Sequence, residues 1–185
     1  MSEVSLEMNY TADEPAFIEL IGLMMMDRYV GDPLFSTSHP PTKNDILDFI
    51  GLARDDIAKS KGISWMAIRY KGKLAGCSVP RPVIGVKAQQ SKVSETAGYW
   101  KIGSFFIHPD FQGKGIGTKA ALAFKKIHPK LVYMYEEGNH ASRAIAQNLN
   151  LPFSHYLYLK GDSVYFRINH TWKAEDYIRF FVHKN

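Results

Sequence analysis

The most chemically suggestive stretch of the chain is Ile107-His108-Pro109-Asp110-Phe111-Gln112-Gly113-Lys114-Gly115-Ile116-Gly117-Thr118. Three alternate glycines, Gly113, Gly115 and Gly117, join a strand-forming run to a helix-forming one. Glycine is needed where backbone approaches a ligand closely or takes positive φ. A glycine loop opening a helix presents unpaired N–H groups and the positive end of the helix dipole, which suits a phosphate or pyrophosphate. Lys114, Lys119, Lys125 and Lys126 offer charge for further phosphates. On the glycines alone, a tight strand-to-helix turn without a ligand is equally open.

Two familiar nucleotide loops do not fit. A P-loop requires Gly-Lys followed by Ser or Thr, whereas this chain runs Gly117-Thr118-Lys119. The dinucleotide fingerprint requires a third glycine where Thr118 stands, and places its loop early in a βαβ unit. Here the loop comes after half the chain. The histidines at 39, 108, 128, 140, 155, 170 and 183 form no HxxxH or HExxH pair, and no carboxylate or cysteine cluster joins them. No metal site is expected. Cys77 lies on a short apolar run and reads as a buried, inert thiol.

The elements that must position the loop alternate between helix and strand. Phe17, Ile18, Ile21, Met24, Met25 and Tyr29 predict a helix over 14–30. Its methionines read as a core face or as the wall of a substrate pocket. Pro41-Thr42-x-x-Asp45 predicts a capped start for a second helix that runs to Gly62. Ile63–Tyr70 and Lys73–Val79 predict a hairpin around Lys71-Gly72, interrupted by Pro80 and Pro82. Ala88–Thr96 reads as a polar loop, and Ala97–Ile107 as the longest strand. A helix over Thr118–Ile127, a strand over Leu131–Tyr135 and a helix over Ala141–Asn148 follow. His155–Lys160 and Ser163–Asn169 predict a second hairpin around Gly161-Asp162, its aromatics reading as sheet packing. The tail Ala174–Val182 is a helix or a strand. The order is roughly βααββ–βαβαββ, an α/β fold.

The chain has 185 residues, which predicts one domain over 1–185. With 45% hydrophobic residues it has enough apolar surface for a core, which excludes disorder as its main state. A net charge of +5 permits an anionic partner. The basic residues are spread along the chain, so no nucleic-acid partner is expected. The most apolar stretch, Phe17 to Met26, is interrupted by Glu19 and is too short for a membrane span. With no secretion-signal pattern and a single cysteine, a cytoplasmic protein is expected.

Gln112-x-x-Gly115-x-Gly117 resembles the Q/R-x-x-G-x-G/A loop of the GNAT superfamily, the acyl-CoA-dependent N-acetyltransferases. Ile107-His108-Pro109, the following helix and Asn139-x-x-Ser142 match in order and spacing, from about Gly98 to Phe153. The resemblance implies a mixed central sheet with splayed parallel strands flanked by helices. It implies acetyl-CoA as co-substrate and an amine as acceptor. Backbone N–H groups of Gly113, Lys114, Gly115, Ile116, Gly117 and Thr118 would bind the CoA pyrophosphate beside Gln112. Phe106 and Ile107 would pair with the pantetheine arm like an added strand. Asn139, with Ser142, would bond the arm or order the turn beneath it.

The catalytic positions depart from the family pattern. The tyrosine that protonates the departing thiolate in many members corresponds to Ala146. The places of two base glutamates correspond to Lys101 and Met134. His108, Tyr135 and Glu136 lie nearest in sequence as substitutes, each with a plain structural reading beside it. Two functions stay open: acetyl transfer to an amine, or a degenerate CoA-binding module with a regulatory or structural role. If the chain is active, Ala146→Tyr is expected to raise turnover, provided the ring fits.

Overall fold

A computed structural model describes residues 3–10, 14–31, 39–59, 65–82, 100–103, 105–136, 138–151, 153–158 and 165–170. The expected Gly62 terminator, the Ala88–Thr96 loop, the Gly161-Asp162 turn and the tail fall outside these residues. The described chain groups into two compact units. Residues 1–80 and 104–123 form one, residues 81–103 and 124–185 the other.

The first unit is a four-stranded antiparallel sheet with helices. Its strands are β1 (Val4–Tyr10), β2 (Trp65–Tyr70), β3 (Lys73–Ser78) and β6 (Phe106–Ile107), in the order β1-β2-β3-β6. Helix α1 (Pro15–Gly31) buries Phe17, Leu20, Ile21 and Met24, the spacing of one helical face. Met25 joins the same core while Met26 is exposed, so Met24 and Met25 are packing residues. Helix α2 (Lys43–Lys59) starts as expected. Thr42 N and Oγ1 donate to Asp45 Oδ2 at 2.7 and 2.6 Å, and Asp45 N donates back to Thr42 Oγ1 at 3.3 Å. These bonds hold the Asp45 carboxyl below its ordinary pKa.

The β2–β3 hairpin turns where the sequence places it. Lys71 and Gly72 both take positive φ, 50° and 81°, as a tight two-residue hairpin turn requires. Trp65, Met66, Ala67 and Ile68 are all buried, so β2 is covered on both faces and shows no alternation.

The second unit holds a mixed five-stranded sheet, in the order β4-β5-β7-β9-β8. Its strands are β4 (Arg81–Pro82), β5 (Trp100–Ile102), β7 (Leu131–Glu136), β8 (Phe153–Tyr158) and β9 (Tyr165–His170). Among the described strands only β5 and β7 pair in parallel, from Trp100↔Leu131 to Ile102↔Tyr133. The remaining pairs are antiparallel. β4 was not legible in the sequence because Pro82 cannot donate to a ladder. It sits on the outermost strand, where a proline is tolerated.

The expected long strand over 97–107 is corrected to two short ones. Trp100–Ile102 pairs with β7, whereas Phe106 and Ile107 pair with Cys77 and Gly76 of β3. Helix α3 (Ile116–Ile127) begins two residues before the expected Thr118, so Gly117 belongs to its first turn. Helix α4 (His140–Asn148) lies against β7 and buries Ala146. Trp100 closes the second unit's core against Phe124 and His128, the His128 ring centroid standing 4.1 Å from that of Trp100. No helix among the described residues is long and apolar enough to cross a membrane.

Candidate functional site

In the first unit the glycine loop is built on the end of β6. His108 N donates to Ala75 O at 3.0 Å, which carries the chain off the sheet edge. His108 then caps a short 3-10 turn, Pro109–Phe111, by accepting from Asp110 N at 3.2 Å on Nδ1. That makes His108 a loop-forming residue. Gln112 Nε2 donates to Ile107 O at 2.9 Å, and Lys114 Nζ donates to Asp110 O at 2.6 Å. Both side chains clamp the turn. Phe111 anchors it, with its ring 6.2 Å from Tyr70 and 5.9 Å from His108, centroid to centroid.

The backbone beyond Gln112 has the form that an anion site needs. Gly113 and Gly115 take φ of 71° and 69°, where a side chain strains the backbone, and a Cβ on either would meet nothing within 4 Å. Gly115 O accepts from Lys119 N at 3.0 Å, so Gly115 opens α3. Among the described residues the N–H groups of Gly113 to Thr118 make none of the loop's close backbone hydrogen bonds. Ile116 is buried and anchors the start of α3. The exposed head of α3 offers donors and a positive dipole to an anion.

The expected lysines divide. Lys114 is tied to the loop, while Lys119 lies in the first turn of α3 near Glu3. Lys125 and Lys126 lie in the last turn of α3, where they complement the helix dipole. Lys125 Nζ donates to Leu149 O and so holds the end of α4.

Gly76 was not singled out from the sequence, yet it sets where β6 lies. A Cβ on Gly76 would stand 2.5 Å from Phe106 O and 2.7 Å from Ile107 Cδ1. A glycine inside a strand pattern, facing another strand's backbone, was the available signal.

In the second unit Asn139 caps α4, its Oδ1 accepting from Ser142 N at 2.9 Å. This is the turn-ordering role. Ser142 has a second tie that spacing did not reveal, a side-chain hydrogen bond with Tyr133 of β7. Burial pushes the Tyr133 phenol above its ordinary pKa, and the bond to Ser142 partly offsets that. Ala146 is fully buried on the same helix. Lys101 Nζ lies 4.0 Å from Met134 Sδ, so the two places expected to carry base glutamates sit together without one.

Residues 25–150 match the model of the acetyltransferase (GNAT) family. That span covers more than half of the sequence, glycine loop and Asn139 helix included. The chain belongs to the GNAT acetyltransferase family.

Solved GNAT structures share its fold. The microcin C7 self-immunity acetyltransferase MccE, in complex with acetyl-CoA and AMP, is 21% identical with a TM-score of 0.63, covering 92% of this chain and 93% of that one. RimL, a ribosomal L7/L12 alpha-N-protein acetyltransferase in complex with coenzyme A, is 14% identical with a TM-score of 0.67, over 94% and 96%. The putative acetyltransferase yncA from Salmonella typhimurium, with its cofactor acetyl-CoA, is 13% identical with a TM-score of 0.60, over 91% and 93%. At these identities the likeness carries the fold. A search of the curated proteins found no match. The GNAT match begins well before Gly98, the point from which the sequence motifs are specific, and so takes in the end of α1, all of α2 and the hairpin.

Proposed function

We propose that the chain transfers an acetyl group from acetyl-CoA to an amine, with residues 1–185 working as one acetyltransferase domain. The observation that carries this reading is the run of N–H groups from Gly113 to Thr118, without close backbone partners among the described residues, at the head of α3 in a GNAT sequence. Similar folds solved with acetyl-CoA or coenzyme A support the choice of co-substrate. Acetyl-CoA supplies the acetyl group already activated as a thioester.

The chain's own residues bind, orient and withhold. Gly113, Lys114, Gly115, Ile116, Gly117 and Thr118 bind the pyrophosphate through backbone N–H groups, on a loop that Gln112 holds against Ile107. β6 is an edge strand, so Phe106 and Ile107 offer a backbone edge to the pantetheine arm. Asn139 and Ser142 order the first turn of α4. On this reading β5 and β7 part after Ile102↔Tyr133, the last pair of their ladder, to admit the arm. Neither Lys101 nor Met134 is a carboxylate base, so the amine arrives neutral and rate comes from positioning. Cys77 is a buried thiol, which suits work in a reducing cytoplasm.

A thiol-release assay with acetyl-CoA across alkyl, aromatic and peptide amines tests the reading. Release that depends on one amine class, with an amide product, is the expected result. Coenzyme A binding without release on any amine would move the chain to the degenerate binding module.

A further inference from the structure

The second unit's sheet carries a basic row where β5 and β7 meet. Residues directly opposite one another in a sheet lie on the same face. Arg81 of β4 stands opposite Lys101 of β5, Lys101 opposite Val132 of β7, and Val132 opposite His170 of β9. One row across four strands therefore holds Arg81, Lys101 and His170. Met134, the next residue of β7 on that face, is the thioether that Lys101 Nζ approaches to 4.0 Å. Among the described residues, the acidic residue at a register position on this face is Glu136, two further along β7.

Like charges directly opposite each other destabilise an antiparallel pair, and Arg81↔Lys101 is such a pair. Met134 cannot compensate it, because a thioether carries no charge. An anion seated between Arg81 and Lys101 turns the repulsion into two charge-assisted attractions. The row lies one rung before Ile102↔Tyr133, the last pair of the β5–β7 ladder. On the proposed function the acyl arm enters just past that pair, so an anion on this row sits beside the reacting carbonyl. The coenzyme's pyrophosphate already has its donors from Gly113 to Thr118, and its thioester end is uncharged. The acceptor is then the molecule that brings the negative charge.

We propose that the acceptor amine carries a carboxylate close to its nitrogen, and that Lys101 with Arg81 recognises that carboxylate. The proposal rests on the reading that the chain transfers acetyl groups to amines, and names the class of amine. Lys101 is then a specificity residue, standing where a carboxylate base would favour a cationic acceptor. The same two charges repel an acceptor with a second ammonium group, which sets polyamines and lysine-rich segments apart from acidic acceptors.

Thiol release from acetyl-CoA by the full chain, with matched acceptors, tests this. Aspartyl-, asparaginyl- and lysyl-alanine amides differ in one side chain, and glycine against glycinamide places the carboxylate on the α-carbon. Rates are compared per neutral amine. The unaltered chain should show kcat/KM about fivefold or more higher for the carboxylate member of a pair, and salt should narrow the gap. A preference among the dipeptides assigns the carboxylate to a side chain, and one for glycine assigns it to a free amino acid; either supports the proposal. Lys101→Met should bring the ratio towards one, Arg81→Gln should shrink it, and Lys101→Glu should favour lysyl-alanine amide. A ratio of two acceptors on one preparation does not depend on how much of a variant is folded. A ratio unchanged by Lys101→Met overturns the proposal. Release without preference in the unaltered chain overturns it as well, while leaving acetyl transfer to amines intact. Release on no amine overturns that reading, and the proposal with it.

Discussion

Lys101 Nζ and Met134 Sδ are 4.0 Å apart, on neighbouring strands β5 and β7 that pair in parallel. The two positions at which the GNAT pattern suggests a base are therefore in contact, and they hold a cation and a thioether. Neither can accept a proton as a carboxylate does. The consequence lies in the pH dependence of kcat/KM. For two amines of well-separated pKa, the profile should break at each amine's own pKa, because the free neutral amine is the species that reacts. A shared break near neutrality for both amines would reveal a base elsewhere in the chain.

Gly76 determines how near β6 comes to β3. Gly76→Ala puts a methyl group 2.5 Å from the Phe106 carbonyl oxygen, and neither backbone can yield without moving β6. Denaturant unfolding should show a loss of about 1–3 kcal/mol, the usual cost of overpacking. On the proposed reading, in which Phe106 and Ile107 give the pantetheine arm its edge, the thermal shift with coenzyme A should shrink with it.

Ala146 occupies the place of the thiolate-protonating tyrosine, and an open space there would make Ala146→Tyr a gain in turnover. The side chain is instead fully buried on a helix lying against β7. A phenol ring has to displace packed neighbours, so Ala146→Tyr should destabilise the chain by about 1–3 kcal/mol or more. Turnover per folded molecule should not rise. Denaturation curves beside steady-state rates check both statements.

His128 is pushed below its ordinary pKa by burial next to Trp100 and Phe124. The folded chain then binds this proton less readily than the unfolded chain. The histidine's contribution to stability is complete above its unfolded pKa of about 6.5, and is lost as the pH falls below that value towards the folded one. Melting temperature should drop on acidification through this window. His128→Phe keeps an aromatic ring and cannot titrate, so its drop should be smaller.

Local chemistry made much of the fold legible. The Thr42–Asp45 cap, the Lys71-Gly72 turn and the Phe17–Met24 face each depend on neighbours in sequence, and each stands where the residues put it. The split of 97–107 was not legible. Trp100–Ile102 and Phe106–Ile107 are both strand-formers, and only their partners, β7 and β3, distinguish them. At the site, the glycine loop and the Asn139 cap carry short-range signals. Gly76, the Tyr133–Ser142 bond and the Glu3–Lys119 ion pair join residues distant in sequence, and spacing gives no hint of them.

The central claim is that the loop from Gly113 to Thr118 holds the pyrophosphate of an acetyl-CoA whose acetyl group moves to an amine. Gly115→Val tests it most directly, because Gly115 takes φ of 69° and a β-branched residue cannot hold that backbone without strain. Thermal shift with coenzyme A should be read beside thiol release from acetyl-CoA, for both chains. The account predicts a clear shift and amine-dependent release for the unaltered chain. It predicts the loss of both in a Gly115→Val variant that still unfolds cooperatively. An undiminished shift and undiminished release in that variant would contradict it.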